Sequence, residues 1–318
     1  MISIQEIRQA RERIQSYIVQ TPVLRMHTLD HYLNCEVYIK AENMQVTGAF
    51  KLRGALNRAL SLSREELERG LVCASSGNHG RGIAYAAKLL GTKATVVMPN
   101  TAPAVKVQAI RALGAEVVQC EASERFQVAE RICEAQGATL IPPYNDEFVM
   151  AGQGTAGLEL GEQLPEVNTV ILPVSGGGLI GGVSAALKET LPAVRVYGAE
   201  PAALPRYSQS LAAGEPTQVP YQQTLADALV SQQPGSKCFP VVRTYVDRVV
   251  PVSDEFMLKG MKLLLTEGKI LAEPSSCIGI GAVLQGLLPV DRAEKVCFVI
   301  SGGSVGISQL AMLEEVVL

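Results

Sequence analysis

Short apolar runs alternate with amphipathic stretches along most of this 318-residue chain, and that alternation restricts its possible folds more than any other feature. The runs are almost continuously hydrophobic, as in strands that are buried on both faces of a parallel sheet. The stretches between them have the spacing of helices, and several end on glycine, a common helix C-terminus. We therefore predict an α/β fold with mostly parallel, twisted sheets flanked by helices. The predicted strands are residues 37–41, 71–75, 94–98, 116–120, 139–142, 169–174, 194–199 and 296–301.

The length of the chain predicts two lobes with a cleft between them, because one hydrophobic core rarely serves this many residues. Residues 71–145 contain four of the predicted strands with helices between them, and we assign them to a small domain. Residues 1–70 and 146–318 then form a large domain. The first helix has a clear start, since Ser3 and Glu6 have the spacing of a capping box.

The composition argues against several classes of partner and site. The formal net charge is -3 and no stretch is strongly basic, which argues against nucleic acid as a partner. No apolar run approaches the ~18 residues of a membrane span, so we expect no membrane association. Seven scattered cysteines without a CxxC spacing suit the reducing cytoplasm, where we expect the protein to work. Only three histidines are present, which leaves few ligands for a histidine-rich metal site.

The segment LPVSGGGLIGG (172–182) predicts a phosphate-binding turn between a strand and a helix. The three glycines after Ser175 allow the backbone to approach a ligand closely and to turn its N–H groups inward. The N-terminus of the helix that starts near Leu179 adds a partial positive charge. A tight packing turn without a ligand is the alternative interpretation of the same residues.

The same segment leaves open a protein of another class, a NAD-dependent oxidoreductase. Gly176, Gly178 and Gly181 satisfy the GxGxxG pattern of dinucleotide-binding proteins, and Glu200 stands at the end of the next predicted strand. Pro201 directly after Glu200 argues against this interpretation. The pattern also gives no role to two further turns of the chain.

These two turns also connect a strand to a helix, and they carry polar side chains. The first, SSGNHG (75–80), offers serine hydroxyls, an amide and free N–H groups to a carboxylate or a phenolic oxygen. The second, SGGS (301–304), places Ser301 where its hydroxyl can meet a ring atom of a ligand. Simple helix capping by serine or asparagine is the competing interpretation of both turns.

Lys51 has an unusual neighbourhood for a lysine. It follows Gly48, Ala49 and Phe50 in TGAFKLRG and begins an amphipathic stretch, whereas most lysines lie among polar residues on exposed surfaces. An amine held in an apolar pocket becomes neutral through desolvation and can act as a nucleophile or base. Taken alone, these residues also allow a solvated surface lysine.

Taken together, these segments resemble the fold-type-II pyridoxal-phosphate enzymes, in the branch of the serine/threonine dehydratases and serine racemases. KAENMQVTGAFKLRGA (40–55) is similar to the lysine motif of that family, SSGNHG to its substrate-carboxylate loop and SGGGL (175–179) to its phosphate loop. The resemblance covers nearly the whole chain and implies the two-lobed, tryptophan-synthase-β-like fold, with the cofactor in the large domain. Further landmarks follow in the family's order: AEP (199–201), TLADAL (224–229), AEPSS (272–276) and ISGGS (300–304).

The resemblance implies pyridoxal 5'-phosphate as the cofactor and Lys51 as the residue that forms a Schiff base with it. Ser301 would face the pyridine nitrogen as a neutral group, which favours elimination over transamination. The other implied cofactor-binding residues are Phe50, Asn78, Ser175, Gly176, Gly177, Gly178 and Leu179. The implied substrate-binding residues are Ser76, Gly77, Asn78, His79 and Tyr144, and the implied catalytic residues are Lys51 and Ser76.

The implied activity is the deamination of L-threonine, L-serine or a similar β-hydroxy amino acid to a 2-oxo acid, by loss of water and then of ammonia. Ser76 leaves serine racemase open, because racemases of this family have a serine there as acid and base on the face opposite the lysine. Arg81, where glutamine is frequent, leaves open a dehydratase of hydroxyaspartate or of the hydroxyectoine pathway. A ligand-binding homologue without turnover is a further alternative.

The resemblance also bears on metals and partners. Racemases of the family bind a divalent cation through an acid at the position of Glu200 and a second acid six residues later, where this chain has Arg206. Because a hard cation needs several oxygen ligands, we expect no metal here and an ion pair between Glu200 and Arg206. An amino-acid substrate is the expected small-molecule partner, and the resemblance implies a homodimer.

Overall fold

The computed structural model describes residues 1–75, 77–102 and 104–318. Within these ranges the chain forms α-helices and strands in alternation, and the strands make two separate sheets. The strands are β1 (Val23–Arg25), β2 (Glu36–Lys40), β3 (Leu71–Ala74), β4 (Ala94–Pro99), β5 (Glu116–Cys120), β6 (Thr139–Leu140), β7 (Thr169–Pro173), β8 (Arg195–Pro201), β9 (Arg248–Val252) and β10 (Lys295–Val299). The α-helices are α1 (Ile4–Ile14), α2 (Asp30–Leu33), α3 (Lys51–Leu60), α4 (Arg64–Arg69), α5 (Asn78–Leu90), α6 (Ala104–Arg111), α7 (Arg125–Gln136), α8 (Glu147–Gln163), α9 (Gly178–Thr190), α10 (Arg206–Ala213), α11 (Cys238–Tyr245), α12 (Asp254–Thr266), α13 (Ile278–Leu284) and α14 (Ile307–Ala311). Short 3-10 helices lie at His27–Leu29, Glu42–Met44, Pro274–Cys277 and Met312–Glu315.

The larger sheet has six strands in the order β1-β2-β10-β7-β8-β9. Strands β1 and β2 pair antiparallel, with Val23 opposite Lys40, and the other neighbours run parallel. The smaller sheet has four parallel strands in the order β5-β4-β3-β6. The predicted α/β class, with mostly parallel sheets and flanking helices, is therefore confirmed.

All eight predicted strands are present, within a few residues of their predicted bounds. The sequence analysis missed β1 and β9, which lie at the two edges of the larger sheet. Strand β1 has three half-buried residues, too few for a recognisable pattern. Strand β9 contains Pro251, and a proline argues against a strand unless the strand lies at an edge.

The first helix begins as predicted. Ser3 Oγ accepts a hydrogen bond from the Glu6 N–H, and the Glu6 carboxylate accepts one from the Ser3 N–H at 2.7 Å. This capping box satisfies two N–H groups near the helix start. Ile7 and Ile14 are buried where α1 packs against α8 and α3. Helix α1 thereby supports α3, the helix that begins with Lys51.

A buried ion-pair network fixes α3 to the larger sheet. The Arg53 guanidinium donates to the Glu42 carboxylate at 2.8 Å and to the Glu159 carboxylate of α8 at 2.7 Å. Lys40, at the end of β2, donates to the other Glu159 oxygen at 2.7 Å. Buried charges need such complete pairing, and the pairing leaves α3 little freedom to move. The start of α3 is thus held rigidly beside the ends of the strands.

Close packing of α8 against α9 sets the position of α9. A Cβ at Gly157 of α8 would lie 2.8 Å from the Val183 carbonyl oxygen, and a Cβ at Gly182 of α9 would overlap the Met150 carbonyl. Only glycine allows two backbones to approach so closely. The N-terminus of α9 is therefore fixed at the carboxyl end of β7.

The smaller sheet is built from strands that lie within residues 71–140, between the two parts of the chain that form the larger sheet. Helix α3 packs on α5 of that segment, since a Cβ at Gly82 would lie 3.4 Å from the Ala55 Cβ. The domain boundaries at 70/71 and 145/146 stay a prediction.

Candidate active site

The loop that precedes Lys51 is hydrogen-bonded to the loop that follows β10. The Phe50 N–H donates to the Ser301 carbonyl at 3.0 Å, and the Gly303 N–H donates to the Gly48 carbonyl at 2.9 Å. Loops after the carboxyl ends of neighbouring parallel strands gather at one edge of a sheet, where ligands bind. The structure thus brings together two of the segments that the sequence analysis selected.

Lys51 is the first residue of α3, and its amine contacts the loop after β6. The Nζ atom donates to the Pro143 carbonyl at 2.6 Å and lies 5.0 Å from the centre of the Phe50 ring. Burial lowers the pKa of Lys51 from its usual 10.5 to about 8, and the charge interactions with Cys238 and Glu273 offset this only in part. The amine therefore loses its proton close to neutral pH, unlike that of a solvated lysine.

Residues 175–179 join β7 to α9 and form a nest of backbone N–H groups. Among the residues that the structure describes, the N–H groups of 175–179 have no protein acceptor. Gly177 has a φ of +100°, and a Cβ there would overlap the Tyr207 hydroxyl, so this turn requires glycine. Unpaired N–H groups at a helix N-terminus bind anions such as phosphate. The nest is therefore suited to bind an anion such as a phosphate group.

Two side chains flank the nest without entering it. The Ser175 Oγ lies 3.0 Å from the Ser231 Oγ, so that hydroxyl is already hydrogen-bonded within the protein. Leu179 is buried in the core that lies between α9 and the larger sheet. The groups that both residues offer to a ligand are therefore their backbone N–H groups.

Tyr144 lies against the same nest. A Cβ at Gly176 would overlap its ring, and a Cβ at Gly178 would lie 3.0 Å from the Tyr144 Cβ. On another side, a Cβ at Gly235 would lie 3.0 Å from a ring carbon. The structure thus places Tyr144 beside the nest, one residue after the carbonyl that accepts from Lys51.

Asn78 begins α5, and its side chain is held by two residues from distant parts of the chain. Its Nδ2 donates to the two Glu273 carboxylate oxygens at 3.0 and 3.1 Å, and its Oδ1 accepts from the Ser304 Oγ at 2.6 Å. Burial raises the pKa of Glu273 to about 7, although the bond from Asn78 favours the carboxylate. The sequence analysis selected neither Glu273 nor Ser304. A lone acid within the AEPSS segment is the signal that points to Glu273.

His79 and Gly77 belong to the same turn as Asn78. The His79 Nε2 lies 2.9 Å from the Ile141 carbonyl oxygen, and burial lowers the pKa of His79 to about 3. The imidazole is therefore neutral, with Nε2 as the donor and with Nδ1 lacking a partner among the described residues. Gly77 is the N-cap of α5. An anion at this helix start would meet backbone N–H groups and not a histidine cation.

The Ser301 hydroxyl is part of a buried pair. Its Oγ lies 2.8 Å from the Ser276 Oγ, and the Ser276 Oγ also bonds the Gly302 N–H and carbonyl at 2.8 and 2.9 Å. Among the described residues, no charged group is hydrogen-bonded to these two hydroxyls. Any ring nitrogen that meets Ser301 therefore meets a neutral hydroxyl. Ser76, the remaining residue of the predicted set, lies outside the described residues.

Comparison with known proteins identifies the family of this chain. A family model described as pyridoxal-phosphate dependent enzyme matches residues 14–302. The chain is 41% identical over 313 residues to the L-threonine ammonia-lyase of Thermotoga maritima, a match that covers 98% of this chain and 77% of that one. The chain belongs to the pyridoxal-phosphate-dependent enzymes.

Other members of this family show the same likeness. The serine racemase of Dictyostelium discoideum is 39% identical over 317 residues, which cover 98% of both chains. The structure of maize serine racemase matches with a TM-score of 0.93 at 38% identity, and covers 98% of this chain and 96% of that one. The predicted recognition, fold and cofactor are thereby confirmed, which decides against the NAD-dependent alternative.

The residues present fit pyridoxal phosphate. This pyridoxal-phosphate-dependent enzyme has an amine of low pKa at Lys51 for an aldehyde and an N–H nest at 175–179 for a phosphate. The neutral Ser301 hydroxyl suits a pyridine nitrogen. The loops of Lys51 and Ser301 are hydrogen-bonded to each other, and the nest follows β7, which pairs with β10 in the larger sheet. Which of these side chains contact the cofactor stays a proposal.

Glu200 and Arg206 do not form a site that suits a divalent cation. The Glu200 carboxylate accepts from the Tyr207 N–H at 2.9 Å, the Ser208 N–H at 2.7 Å and the Ser208 hydroxyl at 2.5 Å. The Arg206 Nε lies 3.9 Å from Glu200 Oε2, so the expected ion pair is present and both side chains are buried. A metal ion would lose these bonds and meet a guanidinium. The same bonds also remove Glu200 from the ribose-binding role of a dinucleotide-binding protein.

Proposed function

We propose that this enzyme deaminates L-threonine or L-serine to a 2-oxo acid and ammonia. The substrate loses its Cα proton and its β-hydroxyl as water. The released enamine takes up a proton at Cβ, and water then replaces the nitrogen to give the 2-oxo acid and ammonia. The name of the Thermotoga maritima relative, an L-threonine ammonia-lyase, supports this choice of substrate.

The observation that carries the proposal is the state of the Lys51 amine. When bound, pyridoxal phosphate withdraws electrons from Cα of the amino acid and so acidifies its Cα–H. A base beside Cα must be neutral to accept that proton. The Lys51 amine meets this requirement because burial lowers its pKa to about 8 and its hydrogen-bond partner is a carbonyl and not a carboxylate.

The surrounding loops fix the reactants. The N–H groups of 175–179 would hold the phosphate, and Tyr144 lies against the same nest. The start of α5, at Asn78 and His79, offers N–H groups to the substrate carboxylate, and the Gly77 N–H beside them donates to the Ser75 hydroxyl at 3.3 Å. Fixing both ends of the reacting pair would orient the Cα–H bond toward the lysine.

Ser301 supports elimination as the reaction type. A hydroxyl paired with Ser276 does not hold a pyridine nitrogen in its protonated, strongly electron-withdrawing form, as a carboxylate would. Elimination of a β-leaving group needs less electron withdrawal at Cα than transamination does, so the neutral Ser301 hydroxyl would suit elimination.

Replacement of Lys51 tests the proposal. We expect Lys51→Ala, purified with pyridoxal phosphate, to deaminate L-threonine at least about 10³-fold more slowly than the wild type, since base and nucleophile are both lost. Lys88→Ala is the matched control, because Lys88 is an exposed residue of α5. Production of 2-oxo acid by Lys51→Ala at the wild-type rate would refute the mechanism. A panel of β-hydroxy amino acids, including hydroxyaspartate, identifies the preferred substrate.

Racemisation of serine is the second candidate function, supported by the names of the Dictyostelium and maize relatives. It requires Ser76 as a second proton-transfer group on the face opposite Lys51. D-serine and pyruvate formed from L-serine should be measured together. Mostly pyruvate supports the lyase, whereas abundant D-serine with little pyruvate makes racemisation the main activity. Loss of D-serine alone in Ser76→Ala would assign that role to Ser76.

We also propose the cytoplasm as the location and a homodimer as the assembly. Cysteines such as Cys120 and Cys133 are unpaired thiols, which suits a reducing compartment. No helix among the described residues has the length and hydrophobicity to span a membrane. Closed symmetric dimers are the commonest assemblies of soluble enzymes, and light scattering tests this one.

A further inference from the structure

Two adjacent residues at the start of α10 hold the outer side of the phosphate-binding nest. The Arg206 guanidinium donates to the Val174 carbonyl at 2.7 Å and to the Ser175 carbonyl at 3.3 Å. The Tyr207 hydroxyl donates to the Gly176 carbonyl at 3.1 Å. Three consecutive carbonyls are therefore engaged from the same side by two consecutive side chains.

Fixing these carbonyls also fixes the direction of the N–H groups. In a planar trans peptide the C=O and the following N–H point in opposite directions. When the carbonyls of 174–176 face α10, the N–H groups of 175–177 must face away from it. These are N–H groups of the nest, and among the described residues they have no acceptor. The contacts with Arg206 and Tyr207 thus aim the nest at its ligand.

Burial of the Arg206 guanidinium carries a desolvation cost that its hydrogen bonds must offset. Its side chain is completely buried, and its nearest carboxylate, Glu200, lies 3.9 Å away and bonds the start of α10 instead. A buried guanidinium without a close carboxylate is destabilising unless polar groups satisfy it. The satisfying groups here are carbonyls: those of Val174 and Ser175 in the nest, and that of Leu204 at 2.9 Å.

We propose that Arg206 and Tyr207 are positioning residues that hold the phosphate nest in its anion-binding geometry without a bound metal ion. The proposal rests on the cofactor of this family and names what supports its phosphate. In this chain the guanidinium provides the positive charge behind the nest. Neither side chain touches the cofactor, because both bond the opposite side of the loop.

Binding of pyridoxal phosphate and of pyridoxal, which lacks the phosphate, tests this role. The full-length chain is stripped of cofactor, and each aldehyde is titrated while the near-visible absorbance band is followed. We expect Arg206→Met to raise the Kd of pyridoxal phosphate about 10- to 100-fold, and Tyr207→Phe to raise it about 2- to 10-fold. The Kd of pyridoxal should stay within about twofold in both variants, because it makes no use of the nest.

The matched controls are Arg243→Met and Tyr245→Phe, which remove an exposed guanidinium and an exposed hydroxyl of α11. These should change neither Kd. If Arg206→Met does not fold, Tyr207→Phe decides the outcome, since it removes one hydroxyl only. Equal weakening of both aldehydes, or no weakening of either, would overturn the proposal. Substrate is absent throughout, so the result does not depend on which amino acid the enzyme deaminates.

Discussion

At the scale of single residues, Lys51 and Glu273 depart from the behaviour of solvated side chains for the same reason. Both are enclosed by the loops at the end of the larger sheet, and burial disfavours their charged forms. The pKa of the amine therefore falls to about 8, and the pKa of the carboxyl rises to about 7. Each shift has a consequence that depends on pH.

Capture of the cofactor should follow the titration of Lys51. Only the neutral amine attacks an aldehyde, so the rate with cofactor-free protein should rise with pH and level off above pH 8, near the lowered pKa. Stopped-flow measurement of the near-visible band between about pH 6.5 and 10.5 gives the midpoint. A rate that still climbs steeply near the ordinary lysine pKa of 10.5 contradicts the burial of this amine.

Glu273 should make the protein less stable as the pH rises. Its folded pKa of about 7 exceeds the ordinary value of 4.5, so its stabilising contribution is fully present below pH 4.5 and is lost as the pH passes 7. Glu273→Gln removes this loss. On going from pH 5 to pH 8, the free energy of unfolding of the variant should therefore gain up to about 3 kcal/mol relative to that of the wild type. Denaturant unfolding at both pH values measures this. Glu134→Gln, on an exposed face of α7, is the control, and identical pH dependence in wild type and Glu273→Gln would refute the prediction.

At the scale of elements, the turn between β7 and α9 depends on one backbone conformation. Gly177→Ala puts a Cβ at a φ of +100° and against the Tyr207 hydroxyl. Gly91, at the end of α5, also has a positive φ, but a Cβ there would lie in open space. Gly91→Ala therefore introduces backbone strain without a steric overlap. We expect Gly177→Ala to be purified with little cofactor, and Gly91→Ala to keep its cofactor and to lose only about 1 kcal/mol of stability. Equal cofactor content in the two variants would show that the nest tolerates a side chain.

The elements that the sequence predicted well are those whose signal is local. Continuous apolar runs identify a buried strand such as β7, and the spacing of Ser3 and Glu6 identifies the start of α1. The edge strand β9 was missed because Pro251 contradicts the local pattern, and only its place in the sheet makes that proline acceptable.

At the scale of the whole molecule, the site depends on contacts that no local pattern contains. Asn78 and Glu273 are 195 residues apart and meet only because the start of α5 faces the segment that joins α12 to the 3-10 helix Pro274–Cys277. The turns with Lys51 and Gly177 were predictable, since glycines and an isolated lysine stand out in the sequence. Tyr207 was not, because its hydroxyl acts on a carbonyl of a distant loop.

Removal of metal ions should leave the activity of the enzyme unchanged. Because the Arg206 guanidinium bonds the carbonyls of Val174 and Ser175 and lies 3.9 Å from Glu200, we expect that no cation is needed behind the phosphate nest. We expect deamination of L-threonine to proceed at the same rate before and after treatment with a chelator, and with or without added magnesium. Activity that disappears with the chelator and returns with magnesium would contradict this assignment.

The most direct test of the account is chemical trapping of the cofactor on its lysine. The holoenzyme is reduced with borohydride, digested, and the pyridoxyl-labelled peptide is sequenced by mass spectrometry. We predict loss of the near-visible band and a single label on Lys51, in the peptide that contains TGAFKLRG. A label on another lysine, such as Lys40, or an unlabelled chain that keeps its colour, would contradict the central claim.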